Sequence, residues 1–211
     1  MPNWCNNTLR LEHTDPAMIQ KFMAGFKKGE AMQEFLPCPD ELRNTTAPNR
    51  EATAEQIDAL VEKYGASDWY NWCVKNWGTK WDVGSSQYGV ERGNANECKF
   101  SFDSAWSPPI QFYEKLEELG FTVKAMYYES GMAFCGIYED GFDDYYEYGD
   151  LDSDGVANTI PQELDEYFCI SEQLADWEDE QEDEEDQENL DIDLDGGLSA
   201  TNEGHEEEEN E

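Results

Sequence analysis

The separation of charges along the sequence constrains this chain more than any other feature. All 13 Lys and Arg residues lie between Arg10 and Lys124, so residues 1–138 carry 19 acids and a net charge of −6. Residues 139–211 contain 31 acids and no Lys or Arg. Such a segment repels itself and buries little apolar surface, so it cannot offset the roughly 1–2 kcal/mol per residue lost on ordering a backbone. We therefore predict disorder from about Glu178 onward.

The first 140 residues, in contrast, have the composition of a folded domain. They are rich in Trp, Phe, Tyr, Leu and Met and are long enough to bury a core. We predict a domain over residues 1–140, an acidic and aromatic linker with an amphipathic helix over 141–177, and a disordered acidic tail over 178–211. The apolar residues near helical spacing in the linker are Leu164, Tyr167, Ile170, Leu174 and Trp177.

Three helices are predicted from capping and spacing signals. The first follows the N-cap candidate Asp15 and ends at Gly29. The second follows a capping-box pattern at 53–56, and the third is capped by Ser-Pro-Pro at 107–109 and stops at Gly120. The proline-rich segment between the first two helices is predicted to be a loop.

Strands are predicted where apolar and polar residues alternate, over residues 4–12, 81–91, 97–104, 121–128 and 132–138. A tight hairpin through Ser130 and Gly131 joins the last two. The order strand, helix, helical insertion, strand, strand, helix, strand, strand is a split βαβ arrangement. We therefore predict an α+β fold, a ferredoxin-like antiparallel sheet with helices on one face and a helical insertion, followed by the disordered acidic tail.

The aromatic stretch DWYNWCVKNWGTKWDVG at 68–84 has three interpretations. Trp and Cys at i, i+3 and i+4 favour a helix that packs one face against the sheet, so the main interpretation is an aromatic core. The alternatives are a protein interface, or a platform on which bases stack while Lys75 and Lys80 contact phosphates. In the small-ligand version of this platform, aromatic walls and Lys80 hold a small anion or base in a cleft between residues 69–81 and 104–108. The candidate platform residues are Trp69, Trp72, Trp77, Lys80, Trp81 and Trp106. A net charge of −37 works against direct nucleic-acid binding.

The acidic segment is the predicted site for a basic partner. Duplex DNA carries about one negative charge per 1.7 Å, so a run of carboxylates could occupy the basic groove of a nucleic-acid-binding host protein. The candidate partner-binding residues are Asp143, Asp144, Tyr145, Tyr146, Glu147, Trp177, Glu178, Asp179, Glu180, Glu182, Asp183, Glu184, Glu185 and Asp186. The alternative is a solvated extension that only keeps the protein soluble.

Metal and catalytic signals are weak. Two segments match an EF-hand loop at positions 1, 3, 5 and 6, but position 12 is Pro161 in one and Asn202 in the other, where the motif has Glu. Their weak calcium candidates are Asp150, Asp152, Asp154, Asp191, Asp193 and Asp195. His13 and His205 have no evident nucleophile partner, and no phosphate loop is present. We expect no cofactor and no enzymatic activity.

Cysteine spacing and hydropathy suggest the cellular compartment. The six cysteines are 25 to 37 residues apart and form no CxxC or CxxH pair of a zinc or redox site. No basic stretch followed by an apolar run opens the chain, and no apolar run approaches the roughly 18 residues of a membrane span. We expect a soluble, cytoplasmic protein with reduced thiols, and three disulfides in an exported protein are the alternative.

Five sequence blocks, in order, resemble a known family. They are MPNWCNNTL at 1–9, FLPCPDEL at 35–42, WYNWCVKNWGTKWDV at 69–83, FSFDSAWSPP at 100–109 and ESGMAFCG at 129–136. Together they resemble the YubB-like, or Api-type, family of bacteriophage and plasmid proteins. The resemblance implies a ferredoxin-like domain over roughly residues 1–140, a mobile-element origin and a bacterial cytoplasm. It implies no catalytic residues, and the acidic tail lies outside it.

The sequence thus predicts a non-enzymatic accessory protein that acts through protein–protein contact, with the acidic segment as a mimic of nucleic acid. The alternative is a small-ligand or nucleotide-binding ferredoxin-like domain in which the acidic tail is incidental.

Overall fold

The computed structural model describes residues 3–84 and 90–181. The chain divides into two compact units, Met1–Asp150 and Leu151–Glu211. In chain order the first unit contains β1 (Trp4–Glu12), α1 (Pro16–Lys28), α2 (Ala31–Phe35), α3 (Asp40–Arg43), α4 (Ala54–Tyr64), α5 (Trp69–Trp77), β2 (Val90–Asn94), β3 (Glu97–Ala105), α6 (Ile110–Glu118), β4 (Thr122–Glu129), β5 (Phe134–Glu139) and β6 (Phe142–Glu147). The second unit contains α7 (Ser153–Thr159), α8 (Gln162–Phe168) and a further helix over residues 170–181.

The strands form one six-stranded sheet in the order β2-β3-β1-β4-β5-β6. Every neighbouring pair is antiparallel. The order of the first four strands, with β1 between β3 and β4, is that of a split βαβ fold, so the predicted ferredoxin-like α+β class is confirmed. Strands β5 and β6 extend this sheet beyond β4.

The register of the central strands creates the apolar face of the sheet. Leu9 of β1 lies opposite Phe100 of β3 and Ala125 of β4, and all three are buried. Helix α1 covers this face, with the rings of Phe22 and Phe100 only 4.7 Å apart. Each large apolar side chain buried here contributes roughly 1.5–3 kcal/mol. The alternation seen in the sequence is therefore what holds α1 against the sheet.

The helix ends mostly follow the predicted capping residues. Asp15 accepts a hydrogen bond from the N–H of Ala17 at the start of α1, and Gly29 ends α1 in the left-handed conformation. The capping box at 53–56 is present at the start of α4. The third predicted cap is wrong, because α6 has no side-chain cap and Ser107 Oγ donates instead to Gly78 O.

Two predictions between α1 and β2 are corrected. The proline-rich segment contains the short helices α2 and α3, and residues 81–84 of the predicted strand 81–91 are not in a strand. Residues 85–89 lie outside the described residues. The carboxylate of Asp82 accepts hydrogen bonds from the N–H groups of Met32 and Gln33, so this segment caps α2 instead of entering the sheet.

Strand β6 lies where the sequence analysis placed an acidic linker. It pairs with β5 along its whole length, from Phe134 opposite Glu147 to Glu139 opposite Phe142. Backbone pairing and the hydrogen bond from Tyr127 Oη to Asp143 Oδ1 at 2.7 Å hold this acidic segment in the sheet. The predicted two-residue hairpin before β5 is also corrected, since residues 130–133 form a four-residue turn.

The second unit contains the predicted amphipathic segment as two helices. The break falls at Cys169, which has a positive φ of 53°. Glu178, the first residue of the predicted disordered tail, is helical and accepts hydrogen bonds from the N–H and Oγ of Ser153, at 2.9 and 2.6 Å. Predicted disorder is therefore wrong for residues 178–181, and residues 182–211 lie outside the described part. Within the described ranges, no helix combines the length and hydropathy needed to span a bilayer.

The glycine after α5 provides a test of how closely the loops of the first unit pack. Gly78 and Gly29 both have positive φ, but a Cβ at Gly78 would lie 3.0 Å from Ile110 N and 3.1 Å from Pro108 O, whereas a Cβ at Gly29 would meet no atom within 4 Å. We expect Gly29→Ala to lower the free energy of unfolding by about 1 kcal/mol, from backbone strain alone. Gly78→Ala should cost a further 1–3 kcal/mol or so through overpacking. Urea unfolding followed by tryptophan fluorescence measures both, and equal losses would contradict the close packing.

Candidate binding site

A chain of buried hydrogen bonds joins α6, β1 and β3. Tyr113 Oη donates to Asn7 Oδ1 at 3.1 Å, and Asn7 Nδ2 donates to Ser104 Oγ at 2.8 Å. Ser104 Oγ in turn donates to the carbonyl of Ser107 at 2.7 Å. Burial raises the pKa of the Tyr113 hydroxyl well above its ordinary value, so this group remains a donor. Because every side chain in the chain of bonds has a partner, the network fixes the turn that follows β3.

The same turn holds the loop that follows α5. Ser107 Oγ donates to the carbonyl of Gly78 at 2.6 Å. Thr79 is buried, and its Oγ1 donates to Ala105 O at 2.9 Å and accepts from Ala105 N at 3.1 Å. The hydroxyl therefore replaces a strand partner at the end of β3. Lys80 and Trp81 follow directly, so their backbone is fixed relative to Trp106.

Three partly exposed tryptophans and one lysine meet at these loops. Trp4, Trp81 and Trp106 are 47%, 43% and 43% exposed. The Lys80 ammonium lies 3.9 Å from the ring centroid of Trp81 and 5.8 Å from that of Trp106, and the rings of Trp4 and Trp81 are 5.9 Å apart. We call these four residues the Lys80 cluster. Its cation–π contacts are worth roughly 0.5–1 kcal/mol each at exposed sites.

Trp106 has an unusual backbone. Its φ of 74° is in the left-handed region, which a bulky residue rarely adopts. Its N–H donates to Asn3 O at 3.0 Å, so the segment before β1 helps to hold this conformation. Strain of this kind costs on the order of 1–3 kcal/mol and is concentrated at functional sites. In this protein it directs a large aromatic side chain into solvent.

Two clefts share Trp69, Lys80 and Trp81 as wall residues. The larger cleft has a volume of about 520 Å³, and its lining residues are Ala47, Pro48, Asp68, Trp69, Tyr70, Asn71, Lys80 and Trp81. The smaller has a volume of about 310 Å³ and also contains Arg43, Trp77 and Asp82. Small-molecule sites typically occupy roughly 300–1,000 Å³. Both clefts are therefore large enough for a metabolite-sized ligand.

Asp82 lies in the smaller cleft as a structural carboxylate. It accepts hydrogen bonds from the N–H groups of Met32, Gln33 and Val83 at 2.7, 2.9 and 2.8 Å. Burial raises the pKa of Asp82 to about 6, against the opposing effect of these three donors. This carboxyl is occupied by α2 and by its own loop, so it is not free to bind a ligand.

The structure divides the predicted aromatic platform into two groups. Trp72 and Trp77 are only 6% and 4% exposed, and Trp77 Nε1 donates to Leu36 O at 2.8 Å, so both side chains pack in the core. Trp69 is half-buried and lines both clefts, whereas Lys80, Trp81 and Trp106 come together in the Lys80 cluster. Lys75 donates instead to Gly65 O at 3.4 Å.

Sequence reasoning missed Trp4. Trp4 precedes the buried Cys5 in β1, and successive side chains of a strand point to opposite faces, so Trp4 lies on the exposed face. This alternation is the sequence signal from which an exposed Trp4 could have been predicted. Its ring contact with Trp81 depends on the antiparallel pairing of β1 with β3, which local sequence does not reveal.

The predicted acidic residues of the first unit lie on β6, an edge strand of the sheet. Asp144, Tyr145 and Glu147 are exposed and Tyr146 is half-buried. The carboxylate of Asp143 accepts from Tyr127 Oη, and burial raises the pKa of Asp143. These side chains form an acidic and aromatic edge.

In the second unit, the predicted acidic residues lie on the helix at 170–181. Trp177 is exposed, as are Asp179 and Glu180, whereas Glu178 is half-buried and bonded to Ser153. The remaining predicted partner-binding residues, Glu182, Asp183, Glu184, Glu185 and Asp186, lie outside the described residues.

The first weak calcium candidate, with Asp150, Asp152 and Asp154, lies at the start of α7. Asp152 Oδ1 accepts from the N–H of Gly155 at 2.7 Å and caps α7, so the residues after Asp152 are helical and do not wrap around an ion. Over residues 3–84 and 90–181, no cluster of three or more His, Cys, Asp or Glu side chains is placed to hold a metal. The second loop, with Asp191, Asp193 and Asp195, lies outside the described residues.

Comparisons with known proteins give one weak structural similarity. No protein-family model matches the chain, and no curated protein matches it. The chain is similar to the crystal structure of a protein api92 from Yersinia pseudotuberculosis, which carries the family model DUF1281. The sequences are 12% identical, and the match covers 71% of this chain and 99% of that chain with a TM-score of 0.42. That neighbour belongs to a domain family of unknown function.

Two buried threonines test the bond that positions the Lys80 cluster. Thr79→Val removes the hydroxyl that serves Ala105 N and O, so we expect a loss of about 1–3 kcal/mol in the free energy of unfolding. Thr8→Val is the matched control, because among the described residues Thr8 Oγ1 is buried without a hydrogen-bond partner. The control should be neutral or slightly stabilising. Urea unfolding compares them, and equal effects would contradict the role given to Thr79.

The raised pKa of Asp82 predicts a pH-dependent stability. The folded protein binds this proton more tightly than the unfolded chain, so the contribution of Asp82 is fully present below about pH 4 and is lost as pH rises through about 6. Asp82→Asn removes the titration. The stability of the wild type relative to this variant should therefore fall by roughly 2–3 kcal/mol between about pH 4 and pH 7. Urea unfolding across this range measures the difference, and a constant value would contradict the assignment.

Proposed function

We propose that this protein is a YubB-like, Api-type accessory protein of a bacteriophage or plasmid, which acts in the host cytoplasm by binding a basic protein and not by catalysis. One observation carries the proposal. Residues 139–211 contain 31 acids and no Lys or Arg, so their charges have no counterpart within the segment. An array of this kind attracts polycations and speeds their association. The five sequence blocks of residues 1–136 support the family assignment.

The charge density of the described helix supports a partner that normally binds nucleic acid. Four acids lie within residues 176–181, which span about 9 Å of α-helix at about 1.5 Å per residue. This is about one negative charge per 2 Å, close to the one per 1.7 Å or so of duplex DNA. A groove that neutralises phosphates would therefore meet a similar density of carboxylates and release its own counterions on binding.

The exposure of β6 offers a second acidic surface to the same kind of partner. Asp144 and Glu147 are exposed on this edge strand, beside the half-exposed ring of Tyr145. Aromatic side chains are enriched in protein interfaces. Both described acidic surfaces thus combine carboxylates with an exposed aromatic ring, Tyr145 in one and Trp177 in the other.

The test is a full-length variant in which acids of the helix and tail become amides of the same shape. The substitutions are Asp179→Asn, Glu180→Gln, Glu182→Gln, Asp183→Asn, Glu184→Gln, Glu185→Gln and Asp186→Asn. Glu178 stays unchanged because it holds Ser153. Affinity capture from host lysate should give a basic protein with the wild type and not with the variant. The captured protein should be released by about 0.5 M salt and displaced by duplex DNA.

A truncation after Asp150 is a second test variant, because it removes the helix and tail but keeps β6 in the sheet. It should lose the salt-sensitive partner as the amide variant does. The proposal is wrong if the amide variant captures the same proteins as the wild type, or if capture survives about 0.5 M salt unchanged.

A second candidate function is small-ligand or nucleotide binding by the first unit, with an acidic tail that only raises solubility. One specific observation favours it. The Lys80 ammonium lies 3.9 Å from the ring centroid of Trp81, at the wall of a cleft of about 520 Å³. Exposed aromatic rings and an available cation are what such ligands require.

A further inference from the structure

The exposed tryptophans of the Lys80 cluster lie together, and this distinguishes them from scattered surface aromatics. Trp4 and Trp81 are in ring contact at 5.9 Å, and Lys80 lies between Trp81 and Trp106. Isolated exposed apolar residues are normal, whereas a contiguous group marks a binding surface. The left-handed backbone of Trp106 independently indicates a surface that is maintained against a conformational cost.

The available charge at the larger cleft is positive. Across residues 3–84 and 90–181, Lys80 makes cation–π contacts but has no carboxylate at ion-pair distance. The cleft also contains Asp68, but this carboxylate is buried and accepts from Asn71 N, Asn71 Nδ2 and Ser67 Oγ at the start of α5. The hydrogen bonds that Asp68 accepts as the N-cap of α5 therefore occupy its carboxylate. Lys80 is the charged side chain of this cleft that is available to a ligand.

The chemistry of the cleft selects a ligand with a flat ring and a negative group. Trp69, Tyr70 and Trp81 provide aromatic walls on which a planar ring can stack. A ring that covers Trp81 would take the place of the Lys80 ammonium on that indole. The released ammonium could then donate to an anion carried by the same ligand, and a charge-assisted hydrogen bond is stronger than an exposed cation–π contact.

We propose that the cleft of Trp69, Tyr70, Lys80 and Trp81 binds a planar aromatic ligand that carries an anionic group, of which a nucleoside monophosphate is the representative. Lys80 recognises the anion and the aromatic side chains recognise the ring. This inference rests on the second candidate function, and it is independent of the acidic segment.

The experiment is calorimetric titration of the full-length protein with AMP, adenosine and inorganic phosphate. We expect AMP to bind about tenfold or more tightly than adenosine, and phosphate alone to give no binding. Lys80→Met should weaken AMP binding about tenfold and should not weaken adenosine binding, because it removes the charge and keeps the side-chain length. Lys75→Met is the matched control, since Lys75 Nζ donates to Gly65 O, and it should leave AMP binding unchanged.

Three outcomes would overturn the inference in distinguishable ways. If AMP and adenosine bind equally and Trp81→Leu weakens both, the cleft binds rings but Lys80 does not recognise an anion. If neither binds at about 5 mM, ligand binding of this class is excluded together with the inference. If phosphate alone binds as tightly as AMP, the ring has no role. The amide variant of the acidic segment should bind AMP as the wild type does, so failure here leaves the basic-partner proposal untouched.

Discussion

The hydrogen-bond chain from Tyr113 through Asn7 and Ser104 to Ser107 is the interaction on which the candidate site depends. It joins a helix, two central strands and the turn after β3, and Ser107 extends it to Gly78 in the loop after α5. Buried polar groups that lack a partner are costly, so each member constrains the others. Segments separated by about a hundred residues thereby meet at one corner of the sheet.

The charge distribution gives the molecule two kinds of surface. Around Lys80, aromatic rings surround a cation with no acidic partner among the described residues, and this surface suits a small ligand of opposite charge. On β6 and on the helix at 170–181, carboxylates are exposed in segments without any base, and these surfaces suit a large cationic partner. Short-range contacts govern the first surface and long-range electrostatics governs the second. The two proposed functions are therefore separable by salt and by substitution.

Sequence reasoning succeeded where the signal was local and failed where pairing across the sheet decided the outcome. The caps at Asp15 and at 53–56 are hydrogen bonds between residues that are close together in the sequence, so these residues can be recognised from the sequence alone. Strand β6 was missed because its acidic composition resembles a linker, whereas its pairing with β5 and the hydrogen bond from Tyr127 to Asp143 hold it in the sheet. The predicted strand at 81–84 failed because Asp82 caps α2. In the candidate site, Lys80, Trp81 and Trp106 were identified, but Trp4 was not.

The amino-acid sequence alone determined the partition of charge, the helices with capping signals and the ferredoxin-like order of the central strands, since these follow from composition, spacing and residue chemistry. Only the tertiary structure decided which tryptophans are buried and which are exposed. Trp72 and Trp77 lie in the same stretch as Trp81 but in a different environment. The first two are on the buried face of α5, whereas Trp81 lies in the loop after Gly78 and is partly exposed. Burial depends on what packs against a side chain, and for these residues the packing partners come from distant parts of the chain.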